Sequence, residues 1–341
     1  MENLLKSYDS ENQFKVLKES YKQIEAAWSR KFNLNTINCE KTIGILICGL
    51  GGSAISGDLL EYFLSDELKV PIIVNRGYDI PSFVNNSWLI IISSYSGDTE
   101  ETISCFTQAV TLKSTILAIS SGGKVEEIAN KNLIPHIKIN SGFQPRYALG
   151  LSFFTLLRTF QELNLIEKQD ENVRAISDLW KRRAEEYSEP KNSALEVAKK
   201  LIGFIPVIYS SEFLSSAGYR FKCQLNENSK VHAFHHIIPE MNHNEIIGWE
   251  TQNEKQFNAK IIFLFDNDYH PQIKKRYFVF SELAASKGVE VINLTSSEKK
   301  SGVRIMDLIF LCDWISFYLA VLRGFDPSEI DFIHEMKKRL A

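Results

Sequence analysis

The chain has 341 residues, and its composition limits the kinds of protein it can be. It holds 39 basic and 42 acidic residues, a formal net charge of -3 at pH 7, with no long run of either sign. This balance argues against binding to nucleic acid or to an anionic membrane. Hydrophobic residues make up 44% of the chain, enough for a full core, and the length suits two similar α/β halves.

The N-terminus and the cysteines indicate a cytoplasmic protein. The first twenty residues lack the basic start and apolar core of a secretory signal, and no apolar stretch is expected to reach the ~20 residues that a membrane span needs. The five cysteines are widely spaced and mostly lie in apolar or helix-like segments. They are interpreted as reduced core thiols.

An amphipathic pattern opens the chain between about residues 10 and 31. Five large apolar side chains recur there at spacings of three and four: Phe14, Leu17, Tyr21, Ile24 and Trp28. This spacing predicts a helix. We therefore expect residues 1–40 to form an N-terminal helical segment.

Strand-like and helix-like segments then alternate in two series. The apolar runs of the first series are TIGILICGL, PIIVN, WLIIISS, STILAIS and IPHIKIN. Those of the second series are FIPVIYSS, KVHAFHH, KIIFLF and VEVINL. The alternation predicts an α/β protein with two lobes, each a parallel sheet flanked by helices. The lobes are expected at 41–165 and at 201–341, the latter with the C-terminal helices, and connecting helices at 166–200.

A glycine-rich loop follows the first predicted strand. In GILICGLGGSAISGDLL the strand runs into Gly49, Gly51, Gly52 and Ser53 and then into a helix. Because glycine lets the backbone approach a ligand closely and helix N-termini favour negative charge, the loop is a candidate phosphate site.

The same loop nearly fits a dinucleotide-binding fingerprint, with Ala54 as its third small position. The next strand, however, ends in Asn75 and Arg76 rather than in the acidic residue that would bind a ribose hydroxyl. NAD is therefore disfavoured, and an NADP-dependent oxidoreductase with Arg76 as phosphate partner stays open as an alternative.

A hydroxyl-rich loop follows the next strand. The segment WLIIISSYSGDTEET delivers Ser94, Ser96 and Thr99 at the start of a predicted helix, and SSGGK follows the strand after it. Hydroxyls and amides at adjacent strand ends suit a phosphomonoester. The alternative for Ser96 or Thr99 is an ordinary helix cap.

Acid–base candidates occur in two places. Arg146 follows the strand IPHIKIN, where it is either a site residue or a surface ion-pairing arginine. The segment YRFKCQLNENSKVHAFHHIIPEMNHNE concentrates carboxylates and imidazoles: Glu227, His235, His236, Glu240, His243 and Glu245. Such a group suggests general acid–base chemistry, although a cap for Glu227 and an interior role for His235 stay open, and a metal site is a lesser alternative.

Six ordered motifs, GLGGSAISGD, SSYSGDTEET, SSGGK, QPRYAL, NENSK and PEMNHNE, together with GFDPSEIDFIHEMKKRLA, resemble the bifunctional phosphoglucose/phosphomannose isomerases of the sugar isomerase (SIS) superfamily. The resemblance runs from about Thr42 to the C-terminus and implies two SIS-type lobes and a homodimer. It implies sugar-site residues Gly51, Gly52 and Ser53, and phosphate-binding residues Ser94, Ser96 and Thr99.

The resemblance also implies the roles of the reacting groups. Glu227 would shuttle a proton between C1 and C2, and Arg146 would steady the enediolate. His243 would open the sugar ring from the partner subunit, assisted by Lys337, with Lys338 as the alternative match. Ser328 stands near the place of a family threonine linked to mannose chemistry.

The activity implied is the interconversion of glucose 6-phosphate and mannose 6-phosphate with fructose 6-phosphate, as in glycolysis and gluconeogenesis. It proceeds through a cis-enediolate and calls on no metal and no cofactor. Two alternatives remain within the superfamily: a non-catalytic phosphosugar-binding SIS protein, and an isomerase for another phosphosugar.

Overall fold

The computed structural model describes residues 1–252 and 258–340 and divides the chain into two compact units. The first-sheet unit is Ser20–Asp178, and the second-sheet unit is Met1–Glu19 together with Leu179–Ala341. This division differs from the expected boundaries, because residues 1–40 form no segment of their own and the region 166–200 is shared between the units.

Two parallel sheets confirm the predicted α/β fold. The first has the strand order β2-β1-β3-β4-β5 and the second the order β7-β6-β8-β9. The strands are β1 (Gly44–Cys48), β2 (Ile72–Asn75), β3 (Trp88–Ser94), β4 (Thr115–Ser120), β5 (His136–Lys138), β6 (Ile205–Ser210), β7 (Phe234–Ile237), β8 (Ala259–Leu264) and β9 (Val291–Leu294). Residues of β1, β3 and β8 are buried throughout, as expected for parallel strands covered on both faces.

The helices alternate with these strands. In chain order they are α1 (Glu2–Tyr8), α2 (Gln13–Lys18), α3 (Tyr21–Trp28), α4 (Gly51–Phe63), α5 (Glu100–Leu112), α6 (Gly123–Lys131), α7 (Leu149–Glu162), α8 (Asp170–Ser188), α9 (Ser193–Lys200), α10 (Ser215–Ser229), α11 (Pro271–Ser286), α12 (Ser301–Leu322) and α13 (Asp331–Leu340). In the first-sheet unit, α4 follows β1 and α5 follows β3 along the chain.

The order of the first sheet determines where a ligand can bind. Strands β1 and β3 are neighbours, paired from Gly44↔Trp88 to Cys48↔Ile92, and the chain continues from them to opposite sides of the strand order. A crevice outside the carboxyl ends of the strands at such a switch point is the usual ligand site of open α/β sheets. The glycine loop and the hydroxyl loop both lie at this edge.

The N-terminal helical pattern is two helices rather than one. Phe14 of α2 packs edge-on against Trp314 of α12, with ring centroids 5.4 Å apart, inside the second-sheet unit. In α3, Ile24 is fully buried and Gln23 donates to the backbone oxygen of Tyr147 at 2.9 Å, inside the first-sheet unit. The two halves of the pattern thus supply different cores, which the apolar spacing alone does not reveal.

Helix α12 is the central core helix of the second-sheet unit. The indole of Trp180 stacks on the ring of Phe310, with centroids 4.7 Å apart, and its Nε1 donates to the backbone oxygen of Met306. The expectation that no stretch is long and apolar enough to cross a membrane was wrong for α12, which has the length and composition. However, 89% of its most apolar part is buried inside the protein, which is what a core helix requires.

Candidate functional site

The glycine loop is shaped by close backbone contacts. A Cβ atom at Gly49 would lie 2.6 Å from the backbone oxygen of Ser93, and one at Gly52 would lie 2.8 Å from that of Pro145. Gly51, the first residue of α4, has a φ of +52°, a conformation that side chains disfavour. The loop therefore brings the first amides of α4 to the carboxyl edge of the sheet.

Ser53 connects the glycine loop to the next strand end. Its side chain is buried in the first turn of α4, and its Oγ accepts a hydrogen bond from the backbone amide of Tyr95 at 3.1 Å. The two predicted phosphate loops are thus joined by a direct bond.

The hydroxyl loop closes on itself around Ser94. The Ser94 Oγ lies 3.1 Å from the Oγ1 of Thr99 and accepts from the amide of Gly97 at 3.1 Å. Ser94 is buried, whereas Ser96 is exposed and its Oγ accepts from the amide of Asp98. Thr99 occupies the N-cap position of α5, and its hydroxyl meets Ser94. Amides of a first helical turn have no partner within the helix, so α5 can offer them to an anion beside Ser96.

The SSGGK loop supports the hydroxyl loop. The Asp98 carboxylate accepts from the amide of Lys124, and the amide of Val125 donates to the backbone oxygen of Gly97, both at 3.0 Å. A Cβ atom at Gly97 would lie 1.8 Å from the backbone oxygen of Gly122. Because a carboxylate already covers the N-terminus of α6, this loop braces the site rather than adding an anion cradle.

Arg146 lies in the 3₁₀ helix Pro145–Tyr147, which rests on Gly52. Its side chain is buried, with the guanidinium carbon 5.6 Å from the centroid of the Tyr147 ring. A guanidinium at this edge of the sheet is a group that stabilises negative charge developing on a bound ligand. The first-sheet unit therefore combines Arg146 with all six of the predicted sugar- and phosphate-binding residues.

The residues considered for a dinucleotide are engaged within the fold. The Arg76 guanidinium pairs with the Asp58 carboxylate, and burial raises the pKa of Asp58. The Asn75 side-chain amide donates to the backbone oxygen of Asp79 at 2.9 Å and to the Sγ of Cys105 at 3.2 Å. These contacts hold the end of β2 and give the dinucleotide alternative no support.

Glu227 lies in the last turn of α10, in the second-sheet unit, and is half-buried. Its neighbours are held by hydrogen bonds: Asn226 Oδ1 accepts from the amide of Ala233 at 3.0 Å, and Asn228 Nδ2 donates to the Oγ of Ser316 at 2.9 Å. The backbone that carries the Glu227 carboxylate is thus fixed on both sides.

A buried polar seam lies between α10 and α12. The Asp313 carboxylate accepts from Arg220 at 2.8 Å and from Gln224 at 2.9 Å, and burial raises the pKa of Asp313. Arg220 and Gln224 lie on the turns of α10 that precede Glu227. Sequence reasoning missed this seam, although an aspartate within the apolar run LIFLCDWISF indicates a buried partner.

The histidines after α10 have separate environments. The Nε2 of His235 lies 2.7 Å from the Oγ of Ser210, and burial lowers the pKa of His235 to about 3, as for a neutral interior histidine. The Nδ1 of His236 lies 3.1 Å from the Glu245 carboxylate. His243, at the end of the 3₁₀ helix Glu240–His243, is exposed, so its imidazole is open to solvent.

The C-terminal candidates lie on and before α13. Lys337 and Lys338 are both exposed, as is Phe332 on the same helix, at 93%. Ser328 is buried, and its Oγ accepts from the Nε2 of Gln13 at 3.2 Å. The lysines are thus accessible from solvent, whereas the Ser328 hydroxyl faces the interior of the second-sheet unit.

Comparisons with known proteins agree with these motifs. Residues 190–340 match the family described as bacterial phospho-glucose isomerase C-terminal SIS domain. A bifunctional phosphoglucose/phosphomannose isomerase of Caldicellulosiruptor bescii is 39% identical over 94% of this chain and 96% of its own length. Its namesake in Aquifex aeolicus is 33% identical over 95% of this chain and 99% of its own length. The C-terminal domain of glucosamine-fructose-6-phosphate aminotransferase from Francisella tularensis shares the fold, with a TM-score of 0.67 at 15% identity over 93% of this chain and 97% of that one.

Proposed function

Because the chain belongs to the family of bifunctional phosphoglucose/phosphomannose isomerases, we propose that it interconverts glucose 6-phosphate and mannose 6-phosphate with fructose 6-phosphate. The observation that carries this proposal is the pair of loops at the neighbouring ends of β1 and β3, joined by the bond from Tyr95 to Ser53. Such a site suits the phosphate of a small sugar at the switch point of the sheet.

The first-sheet unit supplies the binding residues of this proposal. Gly51, Gly52 and Ser53 line the sugar, and Ser94, Ser96 and Thr99 form the phosphate loop. Support comes from the exposure of Gly51 at the start of α4 and of Ser96 in the loop before α5, because first-turn amides favour an oxyanion. The buried hydroxyls of Ser53 and Ser94 hold the two loops in shape.

The isomerisation is a proton transfer between two carbons. Glu227 removes the proton from C2 of the open-chain aldose, the electron pair forms the C1–C2 double bond of a cis-enediolate, and Glu227 returns the proton to C1. The hydroxyl proton of O2 is transferred to O1 in the same conversion, so the alcohol at C2 becomes the ketone as the aldehyde at C1 becomes the alcohol, and no external oxidant or reductant enters. Arg146 stabilises the negative enediolate oxygens.

Ring opening and epimer choice complete the scheme. His243 of the partner subunit and Lys337 move the protons of ring opening, which requires a homodimer; the exposure of both side chains supports this role. The enediolate has no stereochemistry at C2, so protonation from either face of C2 gives the glucose or the mannose epimer.

We also propose that the enzyme works in the cytoplasm, in glycolysis and gluconeogenesis. All five cysteines lie among the described residues and are free thiols, three of them buried. Unpaired thiols are usual in a reducing compartment.

The test is to supply fructose 6-phosphate and to measure both aldose phosphates with separate coupled assays. Glu227→Gln keeps the shape of the side chain and should lower kcat by on the order of 10²–10⁴-fold, since a general base is lost. Glu250→Gln, on an exposed glutamate, is the matched control and should keep wild-type activity. Unchanged turnover in Glu227→Gln would remove the base, and binding of fructose 6-phosphate without turnover by the wild type would identify a non-catalytic phosphosugar-binding protein.

Subunit mixing tests the shared site. Glu227→Gln and His243→Ala chains, each inactive alone, should recover part of the activity when mixed, because one of the two sites in a mixed dimer then holds both wild-type groups. Mixed labelled chains establish that exchange has occurred. Exchange without recovered activity contradicts the donation of His243 across subunits.

A further inference from the structure

We propose that Tyr95 is a positioning residue that fixes the Arg146 segment against the two phosphate loops. This proposal rests on the proposed function, because it gives Tyr95 a role through Arg146. Tyr95 is the first residue after β3 and is half-buried. It stands between the glycine loop, the SSGGK loop and the segment that leads from β5 to Arg146.

The backbone of Tyr95 connects two of these loops. Its amide donates to the Oγ of Ser53 at 3.1 Å, and its carbonyl oxygen accepts from the amide of Ser121 at 3.0 Å. The ladder between β3 and β4 ends at the pair Ser94↔Ser120. The bond from Ser121 to Tyr95 therefore continues the backbone hydrogen bonding between β3 and β4 into the loops that follow these strands.

The side chain of Tyr95 reaches the third segment. Its hydroxyl donates to the backbone oxygen of Asn140 and accepts from the amide of Phe143, each at 3.1 Å. A phenol hydroxyl can donate one hydrogen bond and accept another at the same time. The Tyr95 hydroxyl uses both bonds to hold the turn between Asn140 and Phe143. Gly142, inside that turn, has a φ of +104°, a conformation that the two bonds hold from either side.

The clamped turn leads directly to Arg146. The 3₁₀ helix Pro145–Tyr147 follows it, and the backbone oxygen of Pro145 lies against Gly52. Arg146 is therefore located by two fixed points, the Gly52 contact and the Tyr95 hydroxyl. Tyr95 bonds to the glycine loop and the SSGGK loop through its backbone atoms, and a phenylalanine at position 95 preserves these bonds.

Because the Tyr95 hydroxyl contacts only the Arg146 segment among these described loops, its removal should affect catalysis rather than phosphate binding. Loss of the hydroxyl loosens the Arg146 segment and misplaces the cation that stabilises the enediolate. A displacement of ~1 Å in an active site can lower the rate by about 100-fold. In Tyr95→Phe we expect kcat to fall by about 10- to 100-fold, while KM and inhibition by inorganic phosphate stay within about twofold.

Two further measurements keep the proposal falsifiable. Hydrogen–deuterium exchange of the Phe143 amide should be faster in Tyr95→Phe by about 5- to 10-fold, since its acceptor is lost, and this readout does not depend on activity. In an Arg146→Ala background, Tyr95→Phe should cost no more than about twofold in kcat, because the two residues then act as one unit. Tyr78→Phe is the control, since Tyr78 is 48% exposed and its hydroxyl meets only the Glu100 carboxylate at 3.4 Å among the described side chains.

The outcomes separate this inference from the proposed function. A wild type that turns over fructose 6-phosphate, together with a Tyr95→Phe variant of equal kcat and equal Phe143 exchange, overturns the positioning role alone. A wild type without turnover overturns the proposed function, and the exchange measurement then still decides whether Tyr95 holds the turn. An equal loss of kcat in the Arg146→Ala background contradicts action through Arg146.

Discussion

Gly52 lies against Pro145: a Cβ atom at position 52 would come within 2.8 Å of the carbonyl oxygen of Pro145. That separation is closer than a side-chain carbon and a backbone oxygen tolerate, so a methyl group must displace the 3₁₀ helix that carries Arg146. The contact thus links the glycine loop to the cation through the backbone, and it yields the first prediction.

Gly52→Ala should lower kcat/KM for fructose 6-phosphate by about 10- to 100-fold, because Arg146 moves away from its working position. Gly77→Ala is the matched control, because the nearest atom to a Cβ there is 3.7 Å away. Wild-type kinetics in Gly52→Ala would show that the contact does not set the position of Arg146.

Removal of one partner of the buried pair Arg220 and Asp313 should strongly destabilise the second-sheet unit. Asp313→Ala leaves the Arg220 charge buried beside an empty space and should lower the free energy of unfolding by about 3–5 kcal/mol, measured by urea denaturation. Asp331→Ala, at an exposed position of α13, should stay within about 0.5 kcal/mol of the wild type.

The double variant Arg220→Met with Asp313→Leu separates the electrostatic contribution to this loss of stability from the contribution of packing. If desolvation of the unpaired charge is the cause, this apolar pair should restore most of the stability lost in Asp313→Ala. A double variant as unstable as Asp313→Ala would instead attribute the loss to the packing of α10 on α12.

His235 should make stability depend on pH. Burial lowers the pKa of His235 to about 3, while the unfolded chain has a value of about 6.5. Above pH 6.5 the side chain is neutral in both states and adds no pH dependence. Between pH 6.5 and 3 the unfolded chain binds a proton that the folded chain does not, so stability falls as the pH falls.

The measurement is the free energy of unfolding of wild type and His235→Gln between pH 7.5 and 4.5. The wild type should lose about 3 kcal/mol more than the variant over this range. At pH 7.5 the difference between the two proteins reports the lost bond to Ser210 and the altered packing alone. Parallel curves for the two proteins would show that His235 takes up a proton in the folded state.

The strands were predictable because burial on both faces of a parallel sheet demands continuous apolar runs. The run WLIIISS coincides with β3, Trp88–Ser94, and β1 lies within TIGILICGL. The same rule marks where each strand must end, since Ser94 and Gly49 begin the polar segments. The edge at which the loops meet could therefore be predicted along with the fold.

The directions of the loop side chains could not be predicted. Ser94 has the residue type of a phosphate ligand. However, Gly97 has a positive φ, and its backbone amide donates to the Ser94 hydroxyl. Asp98 reaches the N-terminus of α6 across 26 positions of the chain, and such a contact depends on how neighbouring strands bring their loops together. Periodicity likewise predicted a helix across residues 10 to 31 but could not show that its halves serve different cores.

The contact between Phe14 and Trp314 has a consequence for how the protein is made. The first-sheet unit is one continuous stretch of chain, so all of its residues have left the ribosome well before α12 is translated, and it can fold as a unit during synthesis. The second-sheet unit needs α12 beside α2 and cannot finish its core until translation is almost complete. Truncation shortly before residue 301 should therefore leave a nascent chain in which the first sheet is folded and α2 has no α12 to pack against.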